Sequence, residues 1–250
     1  MSSTVRTETK GRVLVIRLER EAKRNAIDDE MTAGIDAALN RLEDDPDLWI
    51  GVLTGTKRVF CAGTDMRSGI HVTDRGGQYG IIRRHRTKPL IAAVEGAALG
   101  GGFEVVLSCD LVVAGKSATF GLPEVKRSLA PICGGLFRTQ KAVPRNVARE
   151  LLLTGDSIGA KRAERLGLVN IRCTDGTAVD EAVALAERIC RNGPVAVRET
   201  MRFLATIDAP DEAHGWEETV HSVEVIHSAA DTKEGVTAFF EKREPNWSGR

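Results

Sequence analysis

Short apolar runs alternate with segments of helical spacing through the first two thirds of this chain. The runs at 13–18, 49–55 and 89–96 are rich in β-branched and other apolar residues and predict strands. Residues 28–44 carry apolar side chains at helical spacing, and one of two aspartates at the start can cap that helix. Strands that alternate with helices form mainly parallel sheets, so the pattern predicts an α/β fold.

The pattern becomes purely helical from about residue 178. We therefore expect a helical appendage after the α/β part. Its predicted helices span 179–190, 195–207, 212–227 and 233–242. Earlier in the chain, residues 68–80 are polar and hold several glycines, which predicts a mobile loop.

Composition narrows the functional classes. The 250 residues are 42% hydrophobic and carry 35 basic and 35 acidic side chains, which argues against general nucleic-acid or membrane-surface binding. No apolar stretch reaches the length of a membrane span, and the polar first ten residues lack the centre of a signal peptide. Five cysteines without a CxxC pair indicate reduced thiols in the cytoplasm, and the five histidines form no ligand cluster. We expect no metal site.

Two loops share an unusual composition of small residues. One is FCAGTDM at 60–66, and the other is ALGGGFE at 98–104, ahead of a helix predicted from Gly102 to Ser108. The first turn of a helix has backbone N–H groups without partners, and glycine lets a ligand approach them. Amides from the two loops could converge on one carbonyl oxygen as an oxyanion hole. The alternative is that the glycines only allow close packing, while neither dinucleotide-binding nor phosphate-binding loop motifs fit the spacing.

Two glutamates stand near these glycines in apolar surroundings. Glu104 lies inside the short helix, and Glu124 follows Leu122 and Pro123 twenty positions later. Burial and a neighbouring carboxylate both raise a carboxyl pKa, so such a pair could serve as acid and base. The spacing equally allows Glu104 to face water and Glu124 to cap a helix or pair with Arg127.

The combined motifs resemble the crotonase superfamily of enoyl-CoA hydratases and isomerases. The resemblance runs in order through nearly the whole chain. It is carried by KRNAI (23–27), FCAGTDM (60–66), AAVEGAALGGGFEVVLSCDLVVA (92–114), ATFGLPEVKRSLAP (118–131), LLLTGDSIGAKRAERLGLVN (151–170) and AFFEKREPNW (238–247). It implies a spiral of ββα units over 1–190 and a C-terminal helical trimerisation region over 191–250. Homotrimers or dimers of trimers, and a CoA thioester substrate, are implied as well.

The same resemblance implies the site. The backbone N–H groups of Thr64 and Gly101 would form the oxyanion hole, with Glu104 as base and Glu124 as acid on a shared water. Contacts with CoA or the acyl group are implied for Lys23, Asn25, Ala26, Ala62, Asp65, Met66, Ile132, Phe239 and Lys242, the last two from this or a neighbouring subunit.

The resemblance therefore implies hydration of a 2-enoyl-CoA to a 3-hydroxyacyl-CoA, as in fatty-acid β-oxidation, without a metal or other cofactor. Alternatives are an enoyl-CoA isomerase, a carnitinyl-CoA-type dehydratase and a non-catalytic acyl-CoA-binding oligomer. Three departures from the family pattern stand out. Glu95 replaces a usual Asn and is expected to affect packing more than chemistry. Ile132 and Cys133 replace small residues and are expected to reshape the acyl pocket or displace the water, and GGLFRT replaces the usual GGTQRL.

Overall fold

The computed structural model describes residues 4–249 as two sheets, a small hairpin and eight α-helices. The strands are β1 Val5–Lys10, β2 Val13–Leu18, β3 Ile50–Thr54, β4 Val59–Cys61, β5 Val72–Thr73, β6 Gly77–Gln78, β7 Leu90–Val94, β8 Ala97–Leu99, β9 Leu111–Gly115, β10 Thr119–Gly121, β11 Ser157–Gly159 and β12 Ile171–Cys173. The helices are α1 Asp29–Asp44, α2 Gly101–Leu107, α3 Gly135–Ala142, α4 Arg145–Thr154, α5 Ala160–Arg165, α6 Ala178–Cys190, α7 Pro194–Ser228 and α8 Ala230–Glu241.

The main sheet has six strands in the order β1-β2-β3-β7-β9-β12. The first two form an antiparallel hairpin, and the other neighbours pair in parallel. The predicted strands at 13–18, 49–55 and 89–96 are β2, β3 and β7, and the predicted helix at 28–44 is α1. Asp28 caps α1, since its carboxylate accepts from Met31 N at 3.0 Å. The predicted α/β fold is confirmed.

A second sheet holds four short strands in the order β11-β10-β8-β4. Each of three successive units contributes one strand to the main sheet and the next to this one, namely β3 then β4, β7 then β8, and β9 then β10. This stepwise alternation is the predicted spiral of ββα type. The larger core lies around α1, α2 and the inner faces of both sheets, and a second core lies between the main sheet and α6.

The second sheet determines where the glycine-rich loops meet. Strands β4, β8 and β10 are parallel, with β8 in the middle. Their carboxyl ends therefore lie side by side, and Leu99 stands opposite Gly121 in the register. The segments that follow these ends begin at 62, 100 and 122, so the chain places both glycine-flanked loops and Glu124 at one edge.

The C-terminal region corrects one sequence expectation. Separate helices at 195–207 and 212–227 were predicted, and Pro210, which lacks the N–H that an α-helix needs, lies between them. The structure instead has one helix of 35 residues, α7, with Pro210 inside it. Contacts with α3 hold the helix beyond the proline, since Arg138 bonds Glu212 at 2.8 Å and Phe137 packs edge-on against Trp216. Among residues 4–249, no helix combines the length and hydropathy needed to cross a bilayer.

Glu95 is buried at the end of β7 and supports the start of α6, as its predicted packing role requires. Its Oε1 accepts from Gly176 N at 2.8 Å and Ala178 N at 3.0 Å. Ala178 is the first residue of α6, so the carboxylate satisfies an N–H that the helix leaves without a partner.

We expect Glu95→Ala to lower the free energy of unfolding by about 1–3 kcal/mol, because the buried Ala178 amide and the partly buried Gly176 amide lose their acceptor. Glu95→Gln keeps an acceptor oxygen and should cost clearly less. Chemical denaturation of the two variants and the parent measures the difference. An alanine variant as stable as the parent would refute this role for Glu95.

Candidate active site

The two predicted oxyanion-hole amides lie on adjacent loops and are unpaired. The loop after β4 is bound to the chain before α1, since Ile27 N donates to Gly63 O and Asp65 N donates to Ile27 O, both at 2.8 Å. Thr64 lies between these bonds, and in the described chain neither its N–H nor that of Gly101 donates a backbone hydrogen bond. A β-carbon built on Gly63 would lie 3.2 Å from Gly101 N, so the two loops are in direct contact. The site thus offers two free donors close together.

Glu104 lies in the first turn of α2 and is 2% exposed. Its Oε1 accepts from Cys133 N at 2.7 Å and Gly135 N at 2.9 Å. Burial and the charge of Glu124 raise the pKa of Glu104 to about 8, although the two amides act in the opposite direction. Glu104 therefore faces the protein interior, and the solvent-facing alternative from the sequence is excluded.

Glu124 lies in a short 3-10 helix, Pro123–Arg127, that begins just after β10. Its Oε2 is buried and has no hydrogen-bond partner among residues 4–249. A β-carbon built on Gly100 would lie only 3.0 Å from Glu124 Oε1. The carboxyl group therefore packs against the backbone of the glycine loop. Burial raises the pKa of Glu124 to about 7, while its own backbone amide and Arg127 lower it. A buried oxygen without a partner is available for a hydrogen bond with a bound water or substrate.

The two glutamates form one electrostatic unit. The charge of Glu124 raises the pKa of Glu104, and both pKa values lie well above those of carboxyl groups in water. Near neutral pH such a pair retains a proton, so one member is an acid while the other is a base. This is the arrangement that the spacing of Glu104 and Glu124 allowed as one of two alternatives.

Most of the predicted CoA contacts lie in two neighbouring segments, residues 23–26 and 62–66. Residues 23–26 lie beside residues 62–66, because Ala62 N donates to Arg24 O at 3.0 Å. Lys23 is exposed, whereas Ala26, Ala62 and Met66 are half-buried at the edge of the oxyanion loop. These four remain candidates for contact with a ligand.

The side chains of Asn25 and Asp65 are used by the protein itself. Asn25 is completely buried, and its amide nitrogen donates to the carbonyls of Val59 and Phe60. Asp65 accepts from Arg20 at 2.9 Å, which holds the pKa of Asp65 below its usual range. The Asn25 side chain therefore anchors the loop, and the CoA contact that the resemblance implies at Asn25 stays a prediction. Asp65 likewise fixes its loop through Arg20.

Ile132 is half-buried and packs on the main core, one residue before the Cys133 amide that binds Glu104. Phe239 is 43% exposed on α8, with the Arg127 guanidinium 4.2 Å from its ring centroid. Lys242 is exposed at the end of α8. Phe239 thus contacts the 3-10 helix that carries Glu124, and the predicted CoA contact of Lys242 stays a prediction.

The cysteines are buried or half-buried thiols without disulfides. The Cys61 thiol contacts Asn25 O at 3.0 Å, and burial raises the pKa of Cys61 to about 12. It is a packing residue and not an activated nucleophile, as expected from the absence of a histidine partner. In the described part of the chain, no cluster of three or more His, Cys, Asp or Glu side chains could hold a metal ion.

Sequence reasoning missed Tyr79, whose hydroxyl lies 2.6 Å from Thr64 Oγ1. The residue ends a segment that was predicted to be a mobile loop, but its side chain is 1% exposed. The signal available in the sequence was a single aromatic residue shortly after a glycine pair, in an otherwise polar segment. Nothing in the spacing pointed to the oxyanion loop as its neighbour.

A cavity of about 1000 Å³ lies elsewhere, between residues 128–131 and the helices α3, α4 and α7. It is mainly apolar, and neither the two glutamates nor Thr64 and Gly101 line it. Cavity size alone therefore does not identify the reactive centre. The chemistry points to the amides and carboxylates at the edge of the second sheet.

Comparison with known proteins agrees with this geometry. A family model described as enoyl-CoA hydratase/isomerase matches residues 8–250. The enoyl-CoA hydratase EchA19 of Mycobacterium tuberculosis is 38% identical, with 97% of this chain and 96% of the relative covered. The mevalonyl-coenzyme A hydratase sidH of Aspergillus fumigatus is 39% identical, with 94% and 91% covered. The crystal structure of a carnitinyl-CoA hydratase from Mycobacterium avium has a TM-score of 0.93, 38% identity and full coverage of both chains.

The match extends over nearly the whole length of the chain and includes both loops and both glutamates. The protein belongs to the enoyl-CoA hydratase/isomerase family.

Proposed function

We propose that this protein is an enoyl-CoA hydratase, a hydro-lyase that adds water across the C2–C3 double bond of a 2-enoyl-CoA to give a 3-hydroxyacyl-CoA. One observation carries the proposal: two buried carboxyl groups with raised pKa values lie beside two unpaired amides. A protein that only bound acyl-CoA would gain nothing from burying two coupled acids at that point. The full-length similarity to hydratases supports the same reaction.

The amides of Thr64 and Gly101 would donate to the thioester oxygen. Their hydrogen bonds draw electron density from the conjugated double bond, which makes C3 electrophilic, and they strengthen as negative charge develops on the oxygen. One such donor is worth about 3 kcal/mol of barrier. Backbone amides need no reorganisation during the reaction, because the loops already hold them.

The two glutamates would handle the protons. Glu104 accepts a proton from the water as its oxygen bonds to C3, and the electrons of the double bond move toward C2 and the thioester oxygen. Glu124 then donates its proton to C2, so the product gains one water and the pair still holds one proton. The higher pKa of Glu104 on its own would place the shared proton there. The hydrogen bonds point the other way, because two amides donate to Glu104 Oε1 and favour its charged form, while Glu124 Oε2 has no partner among the described residues and can carry the proton. The division of roles rests on this geometry. Every step uses groups of this chain alone, so the proposal includes no cofactor.

Dehydration of a 3-hydroxyacyl-CoA is the second candidate. It is the reverse reaction and uses the same groups, since Glu124 would remove the proton at C2 and Glu104 would protonate the departing hydroxyl. The similarity to a carnitinyl-CoA dehydratase from Mycobacterium avium, 39% identical over 99% of both chains, favours retaining it. Hydration and dehydration both need the two amides at the thioester oxygen and the two carboxyl groups. The site therefore does not favour one direction over the other, and the preferred direction depends on the acyl group.

We also propose that copies of the chain assemble through the C-terminal helices into a trimer or a dimer of trimers. The α7 helix has 35 residues, of which Thr219 alone is buried. Phe203, Leu204 and Ile207 are each more than half exposed on one stretch of it. Such a row of large apolar side chains is typical of an interface. A cytoplasmic location, expected from the reduced thiols, completes the proposal.

Purified protein should remove the absorbance of the conjugated enoyl thioester from crotonyl-CoA or a longer 2-enoyl-CoA, with a product heavier by one water. Glu104→Gln and Glu124→Gln should each lower kcat by about 10²–10⁴-fold, because glutamine cannot transfer a proton. Glu150→Gln is the matched control, since Glu150 lies on the surface in a pair with Arg162. Unchanged turnover in either active-site variant, with circular dichroism like the parent, would refute the assigned roles.

The pH dependence should follow the coupled pair. Below about pH 7 both carboxyl groups become protonated and the base is lost, while above about pH 8 both ionise and the acid is lost. We therefore expect kcat/KM to peak between these values. In Glu124→Gln the neighbouring charge is absent, so the pKa of Glu104 falls and the acidic limb of the residual activity should move to lower pH. A flat profile from about pH 5 to 9 would contradict the pair mechanism.

Light scattering with size exclusion should give three or six times the 27.0 kDa of one chain. Leu204→Asp should reduce that mass, because it places a charge in the proposed interface. Val72→Asp should not, because Val72 is also an exposed apolar residue but lies on β5, outside the C-terminal helices. A monomeric parent protein would rule the assembly out.

A further inference from the structure

Tyr79 is a buried polar residue for which the proposed reaction has no assigned role. It is the only tyrosine of the sequence, and its side chain is 1% exposed. A buried tyrosine normally directs its hydroxyl to a specific partner. The partners here belong to both halves of the candidate active site.

The hydroxyl and the ring contact both oxyanion loops. The hydroxyl lies 2.6 Å from Thr64 Oγ1. A β-carbon built on Gly101 would lie 2.7 Å from that hydroxyl and 2.9 Å from the ring atom that bears it. Gly101 can therefore carry no side chain, because the tyrosine occupies the space directly against its α-carbon. One residue thus borders both unpaired amides.

A second contact connects Tyr79 to the acid side of the site. The Cys133 thiol lies near enough to the hydroxyl to contribute to the raised pKa of Tyr79, and the amide of the same cysteine binds Glu104 at 2.7 Å. Burial and the nearby Cys133 and Glu104 keep the pKa of Tyr79 well above its usual value. The hydroxyl therefore keeps its proton near neutral pH and remains a hydrogen-bond donor.

The backbone at Tyr79 is strained in a way that fixes this position. Its φ angle is +56°, in the left-handed region that a bulky residue seldom adopts. Tyr79 N donates to His71 O at 3.0 Å, and the following Gly80 packs so closely on α1 that a β-carbon would lie 2.6 Å from Thr32 O. Strain of this kind persists only where surrounding contacts enforce it, and it concentrates at functional sites.

We propose that Tyr79 is a positioning residue of the oxyanion hole, holding Thr64 through its hydroxyl and Gly101 through its ring so that the two amides converge on the thioester oxygen. This inference rests on the proposed function, because it presupposes that those amides bind the carbonyl. Thr64 is β-branched, so fixing Oγ1 fixes its single side-chain torsion relative to its own amide. A purely structural tyrosine would support the loop without affecting how strongly the carbonyl is polarised.

The decisive variants test the hydrogen bond between the Tyr79 and Thr64 hydroxyl groups. Tyr79→Phe keeps the ring, Thr64→Val removes the other partner of the same bond, and Thr64→Ser retains a hydroxyl. Ser68→Ala is the matched control, because it removes a hydroxyl bonded to His71 in the same surface segment, away from the amides. The readouts are kcat and KM with crotonyl-CoA, and the red shift of a conjugated dienoyl-CoA bound to the Glu124→Gln form, which reports carbonyl polarisation without turnover.

We expect Tyr79→Phe to lower kcat about five- to tenfold with little change in KM. The bond that this variant removes positions the Thr64 amide, and that amide stabilises the charge that develops on the thioester oxygen. The red shift of the bound dienoyl-CoA should shrink in parallel. Thr64→Val should match it, and the double variant should lose no more than either single one. Thr64→Ser, which keeps the hydroxyl, should retain more activity and a larger red shift than Thr64→Val, and Ser68→Ala should resemble the parent. If Tyr79→Phe does not fold, Thr64→Val and Thr64→Ser still decide the question.

The outcomes separate this inference from the proposed function. A parent that shifts the dienoyl-CoA spectrum but hydrates no thioester would overturn the hydratase proposal, and a smaller shift in Tyr79→Phe would still support the positioning role. A parent that hydrates, with Tyr79→Phe unchanged in kcat and in red shift, would overturn the positioning role alone. Additive losses in the double variant would also overturn it, because they would mean that the two hydroxyls act independently.

Discussion

Parallel pairing of three very short strands determines the rest of this site. Strands β4, β8 and β10 have three residues each, yet their carboxyl ends coincide at one edge of the second sheet. Parallel strands deliver the segments that follow them to the same side. Three segments that are far apart in sequence therefore supply the Thr64 amide, the Gly101 amide with Glu104, and Glu124. None of these groups could meet without that ladder.

Burying two carboxyl groups side by side is unfavourable, and the structure offsets only part of the cost. Two amides of the turn before α3 bind one oxygen of Glu104, but Glu124 keeps an oxygen without any partner among the described residues. The pKa values of both groups rise as a result. A carboxyl pair in water would be fully ionised at neutral pH, and such a pair could supply a base but no acid. The unfavourable burial is therefore what makes proton donation to carbon feasible.

The sequence predicted the framework well, because its strands and helices have local signals. The β2, β3 and β7 strands and α1 were predicted from apolar spacing, with Asp28 or Asp29 as the cap of α1. The pairing of Glu104 with Glu124, by contrast, stayed open at the level of spacing until the strand register brought them together. Tertiary contacts overrode local preference in α7, where packing on α3 carries a helix through Pro210. The anchoring role of Asn25 was hidden for the same reason, since its partners Val59 and Phe60 lie more than thirty residues away.

The glycines around the site follow from what the chemistry demands of the backbone. The proposed donors to the thioester are backbone amides, so the main chain has to come within hydrogen-bonding distance of the substrate while two acids and an aromatic ring lie against it. At Gly100 a β-carbon would crowd Glu124 Oε1, and at Gly101 it would collide with Tyr79. Removing side chains from the loop lets the acid, the ring and the substrate share one small volume. The same demand accounts for the role proposed for Tyr79, a large, buried residue on a different segment. A loop of small residues has few side chains that could fix its own amides, so a neighbouring segment is the natural source of the rigidity that oxyanion binding needs.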